Sequence, residues 1–169
     1  MPRISYGPER DAQLGQWATK QLADYIDTGG VKGHIEDMSF VGGYRYETML
    51  LIRYTGRKSG RTMIVSLGYC QFGPEVVIVA SLGGSDEHPQ WYRNIAAGGP
   101  LAFQIGTQAF NCSWREAGGD ERDEVWRWVA RSNPLLGSYR IATTREIPLL
   151  MLTPLEEIPV FTRADISAA

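Results

Sequence analysis

The sequence predicts an α+β barrel, and three observations carry that prediction. Six strand-like runs are crowded between residues 49 and 153. A long amphipathic helix precedes them, and shorter helical segments interrupt them late instead of alternating with them, unlike a doubly wound sheet. With 169 residues, 43% hydrophobic and 21% charged, the chain can bury a core of its own.

Each element has its own signature. From Glu9 to Thr28, Leu14, Trp17, Ala18, Leu22, Tyr25 and Ile26 follow the three-to-four spacing of one apolar helical face, and Gly29-Gly30 stops it. Gly29 to Tyr46 then reads as a long loop. Met49 to Tyr54 is a strand closed by the turn signal Thr55-Gly56. Met63 to Phe72 and Val76 to Ser81 form a hairpin across Gly73-Pro74. The second of these does not alternate, as a strand buried on both faces would not. Pro89 to Ala97 is a short helix. Leu101 to Ile105 and Gln108 to Trp114 make a second hairpin across Gly106-Thr107. Asp120 is the predicted cap of the next helix, with Asp123 completing a box-like start. That helix buries Val125, Trp128 and Val129 and ends before Asn133-Pro134. Ile147 to Thr153 is the last strand.

Composition narrows the function. The net charge of -2 disfavours nucleic acid as a partner. Between Thr48 and Pro74 there is no Asp or Glu, while Arg53, Arg57, Lys58 and Arg61 all lie there, which points to a defined anionic ligand. Cys70 and Cys112 have neither metal nor disulfide spacing and read as buried free thiols, and a reducing cytoplasm is the expected location. No apolar run is long enough to cross a membrane, and Met1 to Arg10 lacks a secretory signal. His34 and His88, the only histidines, have no second ligand at metal spacing, so no metal site is expected.

Three local motifs carry chemistry. In Gly56-Arg57-Lys58-Ser59-Gly60, two glycines free the backbone to turn and present N–H groups, beside two cations and a hydroxyl. That combination suits a phosphate or carboxylate, and a solvated hairpin turn is the plain alternative. It is not a P-loop, because the glycine spacing is wrong and no helix follows. Ser81-Leu82-Gly83-Gly84 follows a core strand and reads, taken alone, as a plain turn, the alternative being a loop that lets a flat ligand approach the backbone. In His88-Pro89-Gln90-Trp91-Tyr92-Arg93-Asn94, Trp91 and Asn94 share a helix face, one as core and one as a polar contact. With no nucleophile motif, redox or transfer chemistry needs an organic cofactor.

Five segments in order, Gly56-Arg57-Lys58-Ser59-Gly60, Leu67-Gly68-Tyr69, Val79-Ala80-Ser81-x-Gly83-Gly84, Pro89-x-Trp91-Tyr92-x-Asn94 and Thr144-Arg145-Glu146-Ile147-Pro148, resemble the deazaflavin-dependent nitroreductase family. The likeness runs from about Met49 to Pro154. It implies a split β-barrel related to the FMN-binding barrels, with an N-terminal helix over residues 9–28. The barrel with inserted helices would span 45–155 and a tail 156–169, all within one domain of 1–169. It further implies an oxidoreductase that passes a hydride from C5 of reduced coenzyme F420 to an electron-poor acceptor such as a quinone, activated enone or nitro compound.

By that resemblance, Arg57, Lys58 and Ser59 meet the coenzyme's phosphate and oligoglutamate tail. Met63, Ile64, Val65, Ser66, Leu67, Gly68, Val79, Ala80, Ser81, Leu82, Gln90, Trp91, Tyr92, Arg93 and Asn94 line the deazaflavin and its ribityl chain. Tyr139 matches a substrate-pocket tyrosine, and Tyr139 and Ser81 are the candidate catalytic proton donors. The chain departs from its relatives at Met63, where they often carry arginine, and at Leu82, where some carry lysine. Asn133 and Leu136 replace aromatic positions of the nitroimidazole-reducing members, which implies a different acceptor.

The same barrel with FMN is the enzymatic alternative. A non-catalytic carrier of a fatty acid, haem or another flat apolar ligand is the alternative of another class. Implied partners are the small-molecule acceptor and a separate enzyme that regenerates the reduced deazaflavin, with a homodimer left open. Membrane association is not predicted, since Asp11, Asp24 and Asp27 outnumber Lys20 on the first helix. No motif residue precedes Met49, so that helix is expected to cover the acceptor site and not to hold the coenzyme. The chain should bind coenzyme F420 more tightly than FMN in equilibrium fluorescence titrations. Micromolar FMN binding with none of the deazaflavin would overturn this.

Overall fold

The computed structural model describes residues 5–166. Helix α1 (Pro8–Asp27) leads to a two-residue strand, β1 (Ile35–Glu36), and then to β2 (Glu47–Thr55), β3 (Thr62–Phe72) and β4 (Glu75–Val79). Helix α2 (Gln90–Ala96) follows, then β5 (Ala102–Ile105), β6 (Gln108–Glu116), α3 (Gly119–Ser132), α4 (Pro134–Tyr139) and β7 (Leu149–Ile158).

The sheet runs β1-β2-β3-β4-β7-β6-β5, and β5 returns to pair with β2. That last antiparallel pairing, Leu51↔Gln104, Ile52↔Phe103 and Arg53↔Ala102, shuts the six strands from β2 to β7 into a barrel. Closure removes the unpaired edges that an open sheet would expose. The predicted α+β split-barrel class is the class observed.

Alternation decides what fills the barrel. Leu50, Ile52 and Tyr54 of β2 meet Val65 and Leu67 of β3, Ile78 of β4, Phe103 of β5 and Leu150 and Leu152 of β7. Trp91 and Ile95 of α2 join this interior cluster and plug it. The other faces are covered as well. Met49 and Leu51 pack under Tyr25 and Ile26 of α1, while Val77, Leu149 and Met151 pack under Val125, Trp126 and Val129 of α3. The strand around Val76 to Val79 is therefore buried on both faces, as its lack of alternation predicts. Both cysteines are buried free thiols, also as predicted, and burial pushes Cys70 up to about 11 and Cys112 up to about 12.

Tyr25 ties α1 to the barrel. Its side chain is fully buried, and its hydroxyl accepts from the Gly106 N–H at 2.8 Å while lying 3.2 Å from the carbonyl oxygens of Met49 and Gln104. Burial raises its pKa far above the ordinary tyrosine value. Gly30 completes the joint, since a Cβ there would sit 1.8 Å from the Gly106 carbonyl oxygen.

Several local expectations are corrected. The loop from Gly29 to Tyr46 contains β1 and a 3-10 turn at Ser39–Val41, both too short to leave a period in the sequence. Helix α3 is capped at Gly118 without a side-chain hydrogen bond, so Asp120 lies inside its first turn, where it complements the helix dipole. The buried stripe of α3 is Val125, Trp126 and Val129, an arc of roughly 100° at about 100° per residue. Trp128 falls outside that arc, is 45% exposed, and donates its indole N–H to the Gln71 carbonyl at 2.6 Å. Helix α4 starts on Pro134, and Asn133 caps it by accepting from the Leu136 N–H at 3.1 Å. Strand β7 runs on to Ile158, and β6 shifts register between Phe110 and Cys112 next to Pro154, which has no N–H to offer.

Removing one phenolic oxygen should loosen the joint between helix and barrel. Tyr25→Phe is expected to lower unfolding free energy by about 1–3 kcal/mol. A urea melt with an unchanged slope checks this.

Candidate active site

Eight of the nineteen site residues singled out by sequence converge on one cavity. It measures about 360 Å³, within the range of small-molecule sites. Val65, Ser66 and Leu67 of β3 form one wall, Val79 with Ser81, Leu82 and Gly83 a second, and Trp91 of α2 a third. Tyr139 at the end of α4 closes it together with Tyr6 and Leu14 from the N-terminal region. A cavity of about 440 Å³ beside Gly30 to Glu36 gathers none of the motif residues.

The Ser81 segment is held from behind. The Arg145 guanidinium donates to the backbone oxygens of Ala80 (3.2 Å), Ser81 (3.0 Å) and Ser85 (3.0 Å), and contacts His88 Nδ1 at 3.0 Å. His88 must present an unprotonated Nδ1 to accept this bond. Burial, and then the Arg145 and Arg93 charges, lower its pKa. Inside the held segment Leu82 adopts φ 47°, the left-handed region that side chains with a Cβ avoid at a cost of about 1–2 kcal/mol. Backbone strain of that kind persists only where the surroundings over-determine it.

The basic loop meets α2 at the protein surface. Gly56 and Gly60 close it through a Gly60 N–H to Gly56 carbonyl bond of 2.7 Å between the paired Thr55 and Thr62. Arg57 Nη1 donates to Asn94 Oδ1 at 2.8 Å and to Gln90 Oε1 at 3.3 Å. Three predicted residues from two motifs are thus brought together, with Lys58 and Ser59 exposed beside them. Tyr54 bonds Asn94 from inside the barrel; burial raises the Tyr54 pKa, and the Asn94 bond opposes that rise.

The remaining predicted residues stand apart from the cavity walls. Met63 is exposed, Ile64 packs toward the α1 side, and Gly68 faces Asn133 and Leu136. Ala80 is inside the barrel core, and Arg93 lies 3.6 Å from Glu87. Tyr92 donates its hydroxyl to Glu116 at 2.6 Å, and burial followed by that carboxylate pushes its pKa up to about 12. Of the four cations in the acid-free stretch, Arg53 is drawn away. It pairs with Asp165 at 2.5 Å and lies over the Phe161 ring at 4.6 Å. Sequence reasoning missed the use of Arg145, although it lies in a quoted motif, and missed Tyr6, which carries no local signal; Leu14 belongs to the helix expected to cover the acceptor site.

One polar atom on the cavity wall lacks a partner. Ser66 Oγ is buried and makes no hydrogen bond among the described residues. Leaving such a hydroxyl unpaired costs about 1–3 kcal/mol, so the wall suits a ligand that brings a carbonyl or ring nitrogen to that point. The donor set fits an elongated group with a flat polar ring and an anionic tail. The ring would meet apolar walls and the unpaired Ser66 hydroxyl, and the tail would find Arg57 and Lys58. Among the described residues no group of His, Cys, Asp and Glu side chains could hold a metal ion. No described helix is long and apolar enough to cross a membrane.

Comparison with known proteins agrees with this geometry. A model of the family described as F420H(2)-dependent quinone reductase matches residues 35–154. An F420H(2)-dependent quinone reductase of Mycobacterium tuberculosis H37Rv is 31% identical over 107 residues, covering 62% of this chain and 72% of that protein. A second protein of that strain is 33% identical over 105 residues, covering 62% and 88%. The solved structure of an F420-H2 dependent reductase, FDR-A, matches with a TM-score of 0.56 at 31% identity, covering 62% of this chain and 92% of that one. A solved domain-swapped dimer matches at 0.59 and 28% identity, covering 82% and 98%. The basic loop, the pinned Ser81 segment and the cavity lining other than Tyr6 and Leu14 lie inside the matched residues, and the chain belongs to the F420H(2)-dependent quinone reductase family.

Proposed function

We propose that this protein is an oxidoreductase that passes a hydride from reduced coenzyme F420 to a quinone-type acceptor held in the cavity. The observation that carries the reading is the unpaired Ser66 hydroxyl on a wall shared with Ser81, Leu82 and Trp91, in a chain whose family is F420H(2)-dependent. The coenzyme, when bound, supplies the hydride. The protein supplies position, exclusion of water and a proton.

Each residue has a role in that scheme. Arg57 and Lys58, with Ser59, hold the anionic tail; Arg57 is already oriented by Asn94 and Gln90. Val65, Ser66, Leu67, Val79, Ser81, Leu82 and Trp91, which line the cavity, seat the ring, and Gln90 and Asn94 of the same helix as Trp91 meet the ribityl chain. Trp91 and Leu67 keep water from the reacting face. Arg145 holds Ser81 and Leu82 in the conformation that shapes the ring's seat. Tyr139 and Ser81 are the hydroxyls that protonate the reduced acceptor. The acceptor is a small molecule, and a separate enzyme returns the coenzyme to its reduced form.

Two measurements test the binding half. Affinity for the coenzyme should fall as ionic strength rises, because the tail contacts are exposed. The Arg57→Ala, Lys58→Ala double variant should flatten that dependence, and unchanged affinity would reduce the loop to a turn. Arg145→Ala should weaken coenzyme binding about 10-fold in a chain that still melts cooperatively, since it frees three carbonyls of the seat without touching the ligand. Equal affinity in Arg145→Ala and the unmodified chain would remove Arg145 from the scheme.

A further inference from the structure

We infer that Tyr6 is a positioning residue of the acceptor site, acting through Tyr139. The inference rests on the reading of Tyr139 as the proton donor. The two phenolic oxygens are 3.1 Å apart across 133 residues of sequence, and both side chains line the cavity. Tyr6 lies outside residues 35–154, the span matched by the family, so nothing in that match assigns it a role.

The hydroxyl of Tyr6 is not needed to place its ring. The Tyr6 backbone N–H donates to Asp11 Oδ1 at 3.0 Å, and Ser5 Oγ donates to Asp11 Oδ2 at 2.6 Å, which fastens the segment to the first turn of α1. The ring packs with Leu14 against the cluster of Met38, Val41 and Leu135. Packing therefore sets the ring, and the hydroxyl is aimed at Tyr139.

A phenol that accepts a hydrogen bond becomes the better donor of its own proton, because the bond it accepts strengthens on the phenolate left behind. In the reaction the hydride forms a C–H bond at a quinone ring carbon conjugated to a carbonyl, and the displaced π-electrons move onto that carbonyl's oxygen. That oxygen takes the Tyr139 proton; the coenzyme, when bound, would supply the two electrons with the hydride and give its remaining proton to solvent. A later proton shift through solvent, from the ring carbon to the second carbonyl oxygen, restores the aromatic ring. Tyr139 recovers a proton from solvent, so one quinone becomes one hydroquinone with no net proton change. The Tyr6 O–H stabilises the Tyr139 phenolate during this exchange.

A double-mutant cycle on the full chain tests the inference, with reduced coenzyme F420 and menadione, a bicyclic quinone. Tyr6→Phe keeps the packed ring and should lower kcat about 10-fold, the loss of one hydrogen bond to a charged oxygen. KM for menadione and Kd for the coenzyme should stay within about 3-fold, and the alkaline limb of the kcat profile should move to higher pH. Quenching of tryptophan fluorescence by menadione, with Trp91 on the wall, reads acceptor affinity without turnover and should be unchanged. In the Tyr139→Phe background, Tyr6→Phe should have no further effect. An equal loss in both backgrounds, or a Tyr6→Phe enzyme with unmodified kcat and pH profile, overturns the inference and leaves the functional reading intact. An unmodified chain that does not oxidise the reduced coenzyme with menadione or other quinones overturns the reading, and the inference with it.

Discussion

The pairing of β2 with β5 is the constraint on which the rest of the structure depends. Without Ile52 opposite Phe103, the six strands would be an open sheet with two free edges and no enclosed interior. With it, every second side chain of β2, β3 and β7 must fill the inside, and the intervening ones must find cover outside. Helices α1 and α3 provide that cover on different sides of the barrel. The cavity then forms where β3, the chain leaving β4, and the ends of α1 and α4 meet.

How much of this was legible depends on the range of the interaction involved. Helix α1, the central strands and both hairpins leave a period or a turn pair in consecutive residues, so Leu14, Trp17 and Val76 to Val79 could be read directly. Helix α4 could not, because six residues beginning with a proline carry less than two turns of pattern. Trp126 and Trp128 look alike in sequence, and only the direction of approach of β4 and β7 decides which one is buried. The continuation of β7 past Pro154 was hidden by the residue that normally ends a strand.

The site divides in the same way. Glycines and cations announce the basic loop, and a Ser-x-Gly-Gly sequence announces the segment after β4, since each reflects a local backbone requirement. The partners of these loops are distant. Asn94 is 37 residues from Arg57, Asp165 draws Arg53 away from the patch across 112 residues, and Tyr6 reaches Tyr139 across 133. No spacing rule applies over such separations, so charge alone overstated the patch and nothing in the spacing pointed to Tyr6.

The dependence of the Ser81 segment on Arg145 sets an order of events during synthesis. The two residues are separated by 64 positions, and β7, which flanks β4, begins after Arg145. At about 5–20 residues per second, roughly 3–13 seconds separate the emergence of Ser81 from that of the side chain that fixes its carbonyl. During that interval the nascent chain can form the β2–β3 and β3–β4 hairpins, but the strained conformation at Leu82 has no support. Competence to bind therefore waits on the emergence of Arg145 and β7, and fragments released before residue 145 would not compete with the folded protein for its coenzyme.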